Sequence, residues 1–585
     1  MQPSSTNSPN ERLDQRTRAA LAQATLSLSP TSAAISAIDW ASHLAQSPGK
    51  QLELAQLFTA QAALLARYVQ ASASKATSAP TAADQAVAPP LITDWRFTAP
   101  EWQTWPYNVM HQAYLLSEQW WHAATTQISG VSPHHQHLME FFTREMLNLL
   151  SPRNHVFSNP EVLARTRQEA GLNLIRGLRN VAQDVADQAK LKPPQGAENF
   201  IVGKSMATTP GKVVCKTDLI ELIQYRATTD KAHPEPILLV PAWIMKYYIL
   251  DLTEQNSLVK YLVDQGYTVF CISWVNPDKE QQHMGMEDYL RLGVYAALDA
   301  VNTIVPKQQI HAVGYCLGGT LLSIAAASMA RNNDQRLASM TLLAAQTDFT
   351  EPGELSLLID ESQVAQLEAQ MADTGYLSGA QMLGAFQLLR SDQLLWTRII
   401  QTYMMGERPE LIELMAWNAD ATRMPARMHG QYLRQLFLNN DLAQGRYQVN
   451  DKAVALSNIR IPIFCLGTKA DQIAPWRSVY KLHLLTPAEI TFVLTSGGHN
   501  AGVISPPHRS HRHYQLLTRT PADHAYLSPD EWLEKAAHHA GSWWPAWAEW
   551  LKARSGAPTK RPRMGAPSLG YPATTAAPGD YIKVR

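Results

Sequence analysis

The sequence predicts an α/β fold in which a mainly parallel sheet is covered by helices on both faces. Beyond residue 200, short and almost continuously apolar runs alternate with stretches whose apolar residues recur every three or four positions. Runs that are apolar on both faces are typical of strands in a parallel sheet that helices cover on each side. The second observation is a glycine-rich turn, residues 314–319, which comes directly after one apolar run and opens a helix-like stretch.

The first 200 residues differ in composition from the rest of the chain. Residues 1–90 are rich in Ala, Ser, Thr, Gln and Pro, and we expect a low-complexity, largely flexible segment. Within it, apolar positions between Ile35 and Val69 suit one or two amphipathic helices, and residues 72–90 suit a linker. Residues 91–200 are aromatic-rich with helical periodicity, which predicts a helical N-terminal domain.

Residues 201–585 are the predicted α/β domain. Its expected strands are residues 236–242, 267–274, 310–316, 340–345, 461–468 and 490–496. Between the fourth and fifth of them, residues 349–447 are helix-like and rich in Met, Leu and Gln. We expect this insertion to form a cap over the carboxyl edge of the sheet, where sites of open α/β sheets lie.

The charge balance narrows the possible partners. The 585 residues include 50 Lys or Arg and 50 Asp or Glu, so the formal net charge is zero. Such a chain has no overall field that would attract nucleic acid, and we expect no nucleic-acid partner. The uncharged stretch from Ile310 to Ala330 is long enough to span a membrane, but its clustered glycines favour a buried strand and then a buried helix. No transmembrane segment and no secretory signal are expected.

The four cysteines do not suggest a disulfide framework or a metal site. They are Cys215, Cys271, Cys316 and Cys465, and none belongs to a CxxC pair. Cys271 and Cys465 lie inside apolar runs and are expected to be buried, inert thiols. We therefore expect no metal and a location in the reducing cytoplasm.

Cys316 occupies the position of a nucleophile. The segment Gly-Tyr-Cys-Leu-Gly, residues 314–318, comes after an apolar run and opens a helix-like stretch, which is the context that a G-x-[S/C]-x-G nucleophile turn requires. The turn exposes the nucleophile and directs the next backbone N–H, that of Leu317, at a developing oxyanion. The second oxyanion N–H is expected in the loop after residues 236–242, from Ala242 or Trp243.

A thiol nucleophile needs a base, and the base needs a carboxylate that orients it. In this type of fold the acid and then the histidine come after the nucleophile along the chain. Asp471 lies directly after one predicted strand, and His499 lies after the last one behind Gly497 and Gly498. The predicted catalytic residues are therefore Cys316, Asp471 and His499. A thiol rather than a hydroxyl favours thioester chemistry, because the acyl group stays activated for a further transfer.

These motifs resemble those of the polyhydroxyalkanoate synthases, most closely the short-chain class with one type of subunit, on an α/β-hydrolase fold. The resemblance runs from about residue 91 to residue 585 and includes "GYCLGGT", "WNADATRMP", "DQIAPW", "GGHNAGVISPP" and "PGDYIKVR". It implies that Cys316 carries the acyl group, that His499 is the base, and that Asp471 acts with it on the incoming hydroxyl.

The resemblance also implies a substrate and an assembly. The substrate would be a (3R)-3-hydroxyacyl-coenzyme A, which is polymerised to a polyester with release of coenzyme A. No cofactor is expected beyond the coenzyme A of the substrate, and no cofactor-binding residues are assigned. The enzyme would be a homodimer on the surface of cytoplasmic polymer granules. The chain departs from the family pattern at Ala242, Met245, Gln472 and Ser505, and the effect of these departures on activity stays open, as does the preferred monomer length.

Two alternatives stay open at this level. A thioesterase or polyhydroxyalkanoate depolymerase would use the same three residues, because water competes with a hydroxyl for the same acyl-enzyme. A catalytically weak partner protein of granules would keep the scaffold alone. The fate of the acyl group, polymer or free acid, separates synthase from hydrolase, and loss of a catalytic residue would have favoured the partner.

Overall fold

The computed structural model describes residues 9–25, 28–77, 89–189, 195–523 and 525–585. The described residues divide into two compact units. The sheet unit lies within Met1–Ser27, Pro194–Leu383 and Leu411–Arg585, and the helical unit within Leu28–Pro193 and Gly384–Glu410.

The sheet unit is built on one ten-stranded sheet. Its strands are β1 (Gly211–Lys216), β2 (Ile220–Tyr225), β3 (Ile237–Val240), β4 (Val269–Trp274), β5 (Ile310–Tyr315), β6 (Leu337–Leu343), β7 (Ile463–Thr468), β8 (Ile490–Thr495), β9 (His513–Arg519) and β10 (Ala537–Ala540). They lie in the order β1-β2-β4-β3-β5-β6-β7-β8-β9-β10. The six strands from β3 to β8 are parallel, and two antiparallel strands extend the sheet at each side.

The α-helices of four residues or more are numbered in chain order. They are α1 (Pro9–Ala24), α2 (Pro30–Ala45), α3 (Pro48–Thr77), α4 (Tyr107–Thr125), α5 (Pro133–Leu150), α6 (Pro160–Gln168), α7 (Leu172–Ala189), α8 (Leu258–Asp264), α9 (Ala296–Ile304), α10 (Leu317–Arg331), α11 (Glu361–Thr374), α12 (Gly379–Leu389), α13 (Glu413–Asn418), α14 (Ala426–Gln431), α15 (Trp476–Tyr480), α16 (Leu482–Leu485), α17 (His499–Val503), α18 (Pro529–Lys535) and α19 (Trp544–Lys552). A π-helical segment, Tyr432–Leu438, continues α14.

The predicted α/β-hydrolase fold is confirmed, and all six predicted strands are present as β3 to β8. These strands are buried on both faces because helices cover them. Two tryptophans of α19 and Trp543, which directly precedes that helix, are core residues. Trp543, Trp544 and Trp547 are each at most 1% exposed. The indole of Trp547 donates to Thr341 Oγ1 at 3.0 Å, so burial leaves its N–H satisfied.

The first ninety residues differ from the predicted flexible segment, because their described part forms α1, α2 and α3. Two indole hydrogen bonds join α2 and α3 to other residues of the helical unit. Trp40 Nε1 donates to Ala124 O at 2.8 Å, and Trp120 Nε1 donates to Leu54 O at 3.0 Å. α3 continues to Thr77, and residues 78–88 of the predicted linker lie outside the described residues.

The predicted cap is helical where it is described, but it does not group as one piece. Residues 349–383 and 411–447 belong to the sheet unit, whereas 384–410 belong to the helical unit. There, Asn180 Nδ2 donates to Thr402 O at 2.9 Å and Arg408 Nη1 pairs with Asp184 at 2.7 Å. In the described residues, no helix is both long enough and apolar enough to cross a membrane.

Candidate active site

Cys316 lies on the sharp turn between β5 and α10. Its backbone has φ 52° and ψ −124°, a positive-φ conformation that is costly for a residue with a side chain. A backbone hydrogen bond to the neighbouring strand fixes the turn, because the Cys316 N–H donates to Leu343 O of β6 at 2.9 Å. Cys316 itself is partly exposed, so the strand ends by presenting a thiol at the carboxyl edge of the sheet.

The glycines of this turn are required by close packing. A Cβ at Gly318 would lie 2.0 Å from Val240 O, and a Cβ at Gly314 would lie 2.3 Å from the Cα of Gly319. A Cβ at Gly319 would lie 2.4 Å from that of Ala345. Each distance is far below van der Waals contact. The glycine spacing in the sequence therefore reflects the approach of α10 to β3 and β5.

His499 and Asp471 are hydrogen-bonded at the same edge of the sheet. Asp471 lies beyond the end of β7, and His499 opens α17 after β8. The His499 Nδ1 to Asp471 Oδ2 distance is 2.7 Å, and the two side chains are 9% and 0% exposed. Asp471 Oδ1 also accepts from the N–H groups of Ile473 and Ala474, both at 2.9 Å, and Thr468 Oγ1 donates to Oδ2 at 2.9 Å. Four hydrogen bonds thus fix the orientation of the carboxylate.

Burial and charge act in opposite directions on this pair. Burial raises the pKa of Asp471, but the charge of His499 and hydrogen bonds from His499, Ala474 and Thr468 lower it by more, so the net shift is downward. Burial lowers the pKa of His499, but the carboxylate of Asp471 and the sulfur of Cys316 raise it, and the net shift is upward. Cys316 is therefore close enough to His499 to act on its protonation. An imidazolium beside a thiolate is the arrangement that activates cysteine nucleophiles.

Tyr315 and Asn500 support the imidazole. The ring of Tyr315 stacks on His499 with centroids 5.7 Å apart, and its hydroxyl donates to Asn500 Oδ1 at 2.5 Å. Tyr315 is the residue before Cys316 and Asn500 is the residue after His499, so this bond ties the nucleophile turn to the histidine loop. The sequence did not single out either residue.

The two oxyanion residues remain predictions. Leu317 is the first residue of α10, where an N–H has no intrahelical acceptor. Trp243 lies three residues beyond β3, in a loop that adjoins the turn, since Gly318 packs against Val240 and Pro241. The carbonyl of Trp243 accepts from Thr422 Oγ1 at 2.7 Å, which fixes the orientation of this loop.

The structure also adds residues from the cap that the sequence did not indicate. Tyr432, at the start of the π-helical segment, packs edge-on against Trp243 with ring centroids 6.3 Å apart. Burial raises the pKa of Tyr432, and the charge of Cys316 raises it further, so the phenol lies within electrostatic reach of the sulfur. His429 of α14 packs against Tyr432 at 6.1 Å. Nothing in the local sequence marks these residues, because their position depends on the cap folding back over the sheet.

The remaining thiols are not candidates for the reaction. Cys271 and Cys465 are buried, and burial raises the pKa of each thiol. Burial likewise raises the pKa of Cys215, which is half-buried on β1. Among the residues that the structure describes, no cluster of three or more His, Cys, Asp or Glu side chains suits a metal ion.

Comparison with known proteins identifies relatives over most of the chain. Family models match residues 93–262 (poly-beta-hydroxybutyrate polymerase N-terminus), 235–506 (alpha/beta hydrolase fold) and 8–50 (poly-beta-hydroxybutyrate polymerase N terminal). The chain is 39% identical to the poly(3-hydroxyalkanoate) polymerase of Methylorubrum extorquens over 518 residues. The matched region covers 88% of this chain and 84% of that protein. It is 34% identical over 501 residues to the polymerase subunit of Cupriavidus necator, with 84% of each covered. Among solved structures it is similar to a Paleococcus ferrophilus monoacylglycerol lipase, with TM-score 0.33 and 14% identity over 57% of this chain and 99% of that one.

Proposed function

We propose, because the chain belongs to the poly(3-hydroxyalkanoate) polymerase family, that it joins (3R)-3-hydroxyacyl groups from coenzyme A into a polyester through a thioester on Cys316. One observation carries the mechanism: a strained turn presents Cys316 beside His499, which Asp471 holds at 2.7 Å.

In the first step, the Cys316 thiolate attacks the carbonyl carbon of the acyl thioester. The resulting oxyanion would be met by the N–H groups of Leu317 and Trp243. Collapse of the tetrahedral intermediate breaks the bond to the coenzyme A sulfur. The departing thiolate takes the proton that His499 received from Cys316, and the acyl group remains on Cys316.

In the second step, the 3-hydroxyl of another unit attacks the acyl group on Cys316. His499, oriented and charge-balanced by Asp471, removes the hydroxyl proton as the new ester bond forms. The Cys316 thiolate is released and the chain is one unit longer. No cofactor takes part, since coenzyme A arrives with the substrate and leaves as the thiol.

The proposal extends to the assembly. We propose a homodimer that works at the surface of polymer granules in the cytoplasm, because the relatives are named polymerases and a water-insoluble polyester would separate as granules. Size measurement by light scattering, with and without substrate, tests the dimer.

The deciding experiment incubates purified protein with (R)-3-hydroxybutyryl-coenzyme A and monitors thiol release together with the product. We expect thiol release with chloroform-soluble polyester, no acylation in Cys316→Ala, and at most slow residual activity in Cys316→Ser. Thiol release that yields only free 3-hydroxybutyrate would replace the polymerase with a thioesterase. Normal thiol release in Cys316→Ala would overturn the mechanism.

A further inference from the structure

Two buried nitrogen atoms beside the candidate active site have no hydrogen-bond partner among the residues that the structure describes. They are Trp243 Nε1 and His429 Nδ1. Trp243 is 1% exposed and His429 is 3% exposed. Leaving such a group unpaired in the interior is costly, so two of them near a reaction centre need a physical reason.

Both side chains contact one ring, that of Tyr432. Trp243 meets it from the loop after β3, and His429 meets it from α14, with centroid distances of 6.3 and 6.1 Å. Phe349 and Phe437 complete the surroundings of the same ring at 6.4 and 5.3 Å. The environment is thus aromatic, with one indole donor and one imidazole nitrogen set into it, next to Cys316.

Hydrogen bonds and one ion pair fix part of the cap to the loop that carries Trp243. Thr422 donates to Trp243 O, and Trp417 Nε1 donates to Lys246 O at 2.8 Å. Lys246 Nζ pairs with Asp420 Oδ1 at 2.9 Å, and both charges are mostly buried. These contacts hold residues 417–422 on the loop that carries Trp243, so α14 and its histidine have a defined position over the site.

The protonation state of His429 determines which hydrogen bonds its imidazole can form. Burial lowers the pKa of His429 to about 4, so its imidazole is neutral at physiological pH. A neutral imidazole accepts a hydrogen bond on one nitrogen and donates one on the other, whereas an indole N–H only donates. A hydroxyl on a short apolar chain matches this combination, because it accepts a hydrogen bond from the indole N–H and donates one to the imidazole nitrogen.

We propose that Trp243 Nε1 and His429 Nδ1 bind the 3-hydroxyl of the hydroxyacyl unit, and that they select 3-hydroxyacyl thioesters over acyl thioesters that lack the hydroxyl. The inference rests on the proposed function, and it assigns a specificity role to the two side chains rather than a part in bond making. A site built to pair a hydroxyl rejects the analogue without it, because its polar groups are then left unpaired.

The test compares the acylation of Cys316 by (R)-3-hydroxybutyryl-coenzyme A and by butyryl-coenzyme A. Intact-mass measurement of the acylated protein at early times yields a rate constant for each thioester. We expect His429→Phe to lower the rate with the hydroxyacyl thioester by about tenfold to hundredfold and to change the rate with butyryl far less. Trp243→Phe should act in the same direction, and His429→Gln should recover part of the selectivity through its amide.

The matched control is His483→Phe. His483 is also a buried histidine whose pKa burial lowers to about 4, but it lies in α16, and its Nδ1 is bonded to Tyr480 O. The control should leave the ratio of the two rates unchanged. Circular dichroism checks that each variant is folded.

Two results would overturn the inference: equal loss of both rates in His429→Phe, which indicates a packing role, or an unchanged ratio in both His429→Phe and Trp243→Phe. Absence of acylation of the unaltered protein by either thioester would instead overturn the proposed function. The two failures are therefore distinguishable.

Discussion

Asp471 shows how single residues set the chemistry of this site. One carboxylate oxygen faces two backbone N–H groups, and the other is shared between Thr468 and His499. The backbone and threonine donors fix the plane of the carboxylate, so the remaining lone pair points at His499 Nδ1. The ring therefore has its Nε2 available for Cys316 or for a hydroxyl, which is the tautomer that the proposed proton transfers need.

Replacement of Asp471 by Asn should strongly impair turnover while leaving the fold intact. The amide removes the charge that raises the pKa of His499 and disturbs the tautomer, and in serine hydrolases the matching change costs about 10⁴ in kcat. We expect kcat for coenzyme A release to fall by roughly 10²–10⁴, with a smaller change in KM. Steady-state kinetics with (R)-3-hydroxybutyryl-coenzyme A measures both.

Thr468→Val is the control for that prediction. It removes one hydrogen bond to Asp471 Oδ2 but keeps the carboxylate and the His499 contact. We expect a loss of about tenfold or less, in line with one hydrogen bond. An Asp471→Asn enzyme with an unchanged kcat would remove Asp471 from the mechanism.

At the residue scale, the sequence predicted the site residues that directly follow a strand and missed those that the cap contributes. Cys316, Asp471 and His499 were predictable because each lies just beyond an apolar strand, and parallel strands end at one edge. Tyr432 and His429 were not, because their place beside Cys316 depends on the cap returning to the sheet more than a hundred residues later. Whether the three predicted residues carry the reaction stays a prediction that the Cys316 and Asp471 variants test.

At the scale of elements, the nucleophile turn depends on the approach of α10 to β3. Gly318→Ala places a Cβ 2.0 Å from Val240 O, and a backbone oxygen cannot move aside without disturbing the strand. We expect a loss of activity of at least a hundredfold and a destabilisation of about 1–3 kcal/mol. Enzyme assays and urea unfolding measure the two effects.

Gly384→Ala is the comparison for Gly318→Ala. Gly384 lies in α12, and an added Cβ there meets nothing within 4 Å. Because Ala is about 1 kcal/mol better than Gly in a helix, this variant should be as stable as the unaltered protein or more so. If Gly318→Ala behaved like Gly384→Ala, the packing account of the turn would be wrong.

The outer strands show why sequence patterns missed part of the sheet. β2 contains Glu221, a charge that argues against a buried strand, yet Glu221 is 1% exposed. Its Oε2 accepts from the N–H groups of Asp580 and Tyr581 at 2.7 and 2.9 Å, and Lys216 pairs with Oε1 at 3.1 Å. These partners lie some 360 residues away or on the neighbouring strand, so only the folded chain supplies them.

At the scale of the whole molecule, residues 579–585 fasten distant parts of the sheet unit. Besides Glu221, they bind Lys246 through Ile582 O at 2.5 Å and Arg423 through Arg585 O at 2.9 Å. Lys246 and Arg423 belong to the loop after β3 and to the cap segment that packs on it. The segment thereby links β2 to the loop after β3 and to the cap segment that packs on that loop.

The stability of the sheet unit should depend on pH through three buried histidines. Burial lowers the pKa of His311, His429 and His483 from an ordinary value of 6.5 to about 4. Between pH 6.5 and 4 the unfolded chain therefore binds more protons than the folded one, so the free energy of unfolding falls as the pH falls. Each histidine contributes on the order of 3 kcal/mol to that fall.

His311 tests this account because its partners are defined. Its Nδ1 lies 2.7 Å from Ser339 Oγ and its Nε2 lies 3.0 Å from Ser555 Oγ, and a glutamine at this position has an amide for either. Urea unfolding at constant ionic strength from pH 7 to pH 4 should show a loss of stability that is less steep in His311→Gln. Exposed His511→Gln should leave the slope unchanged. A slope that His311→Gln does not alter would mean that carboxylates, rather than buried imidazoles, make this molecule sensitive to acid.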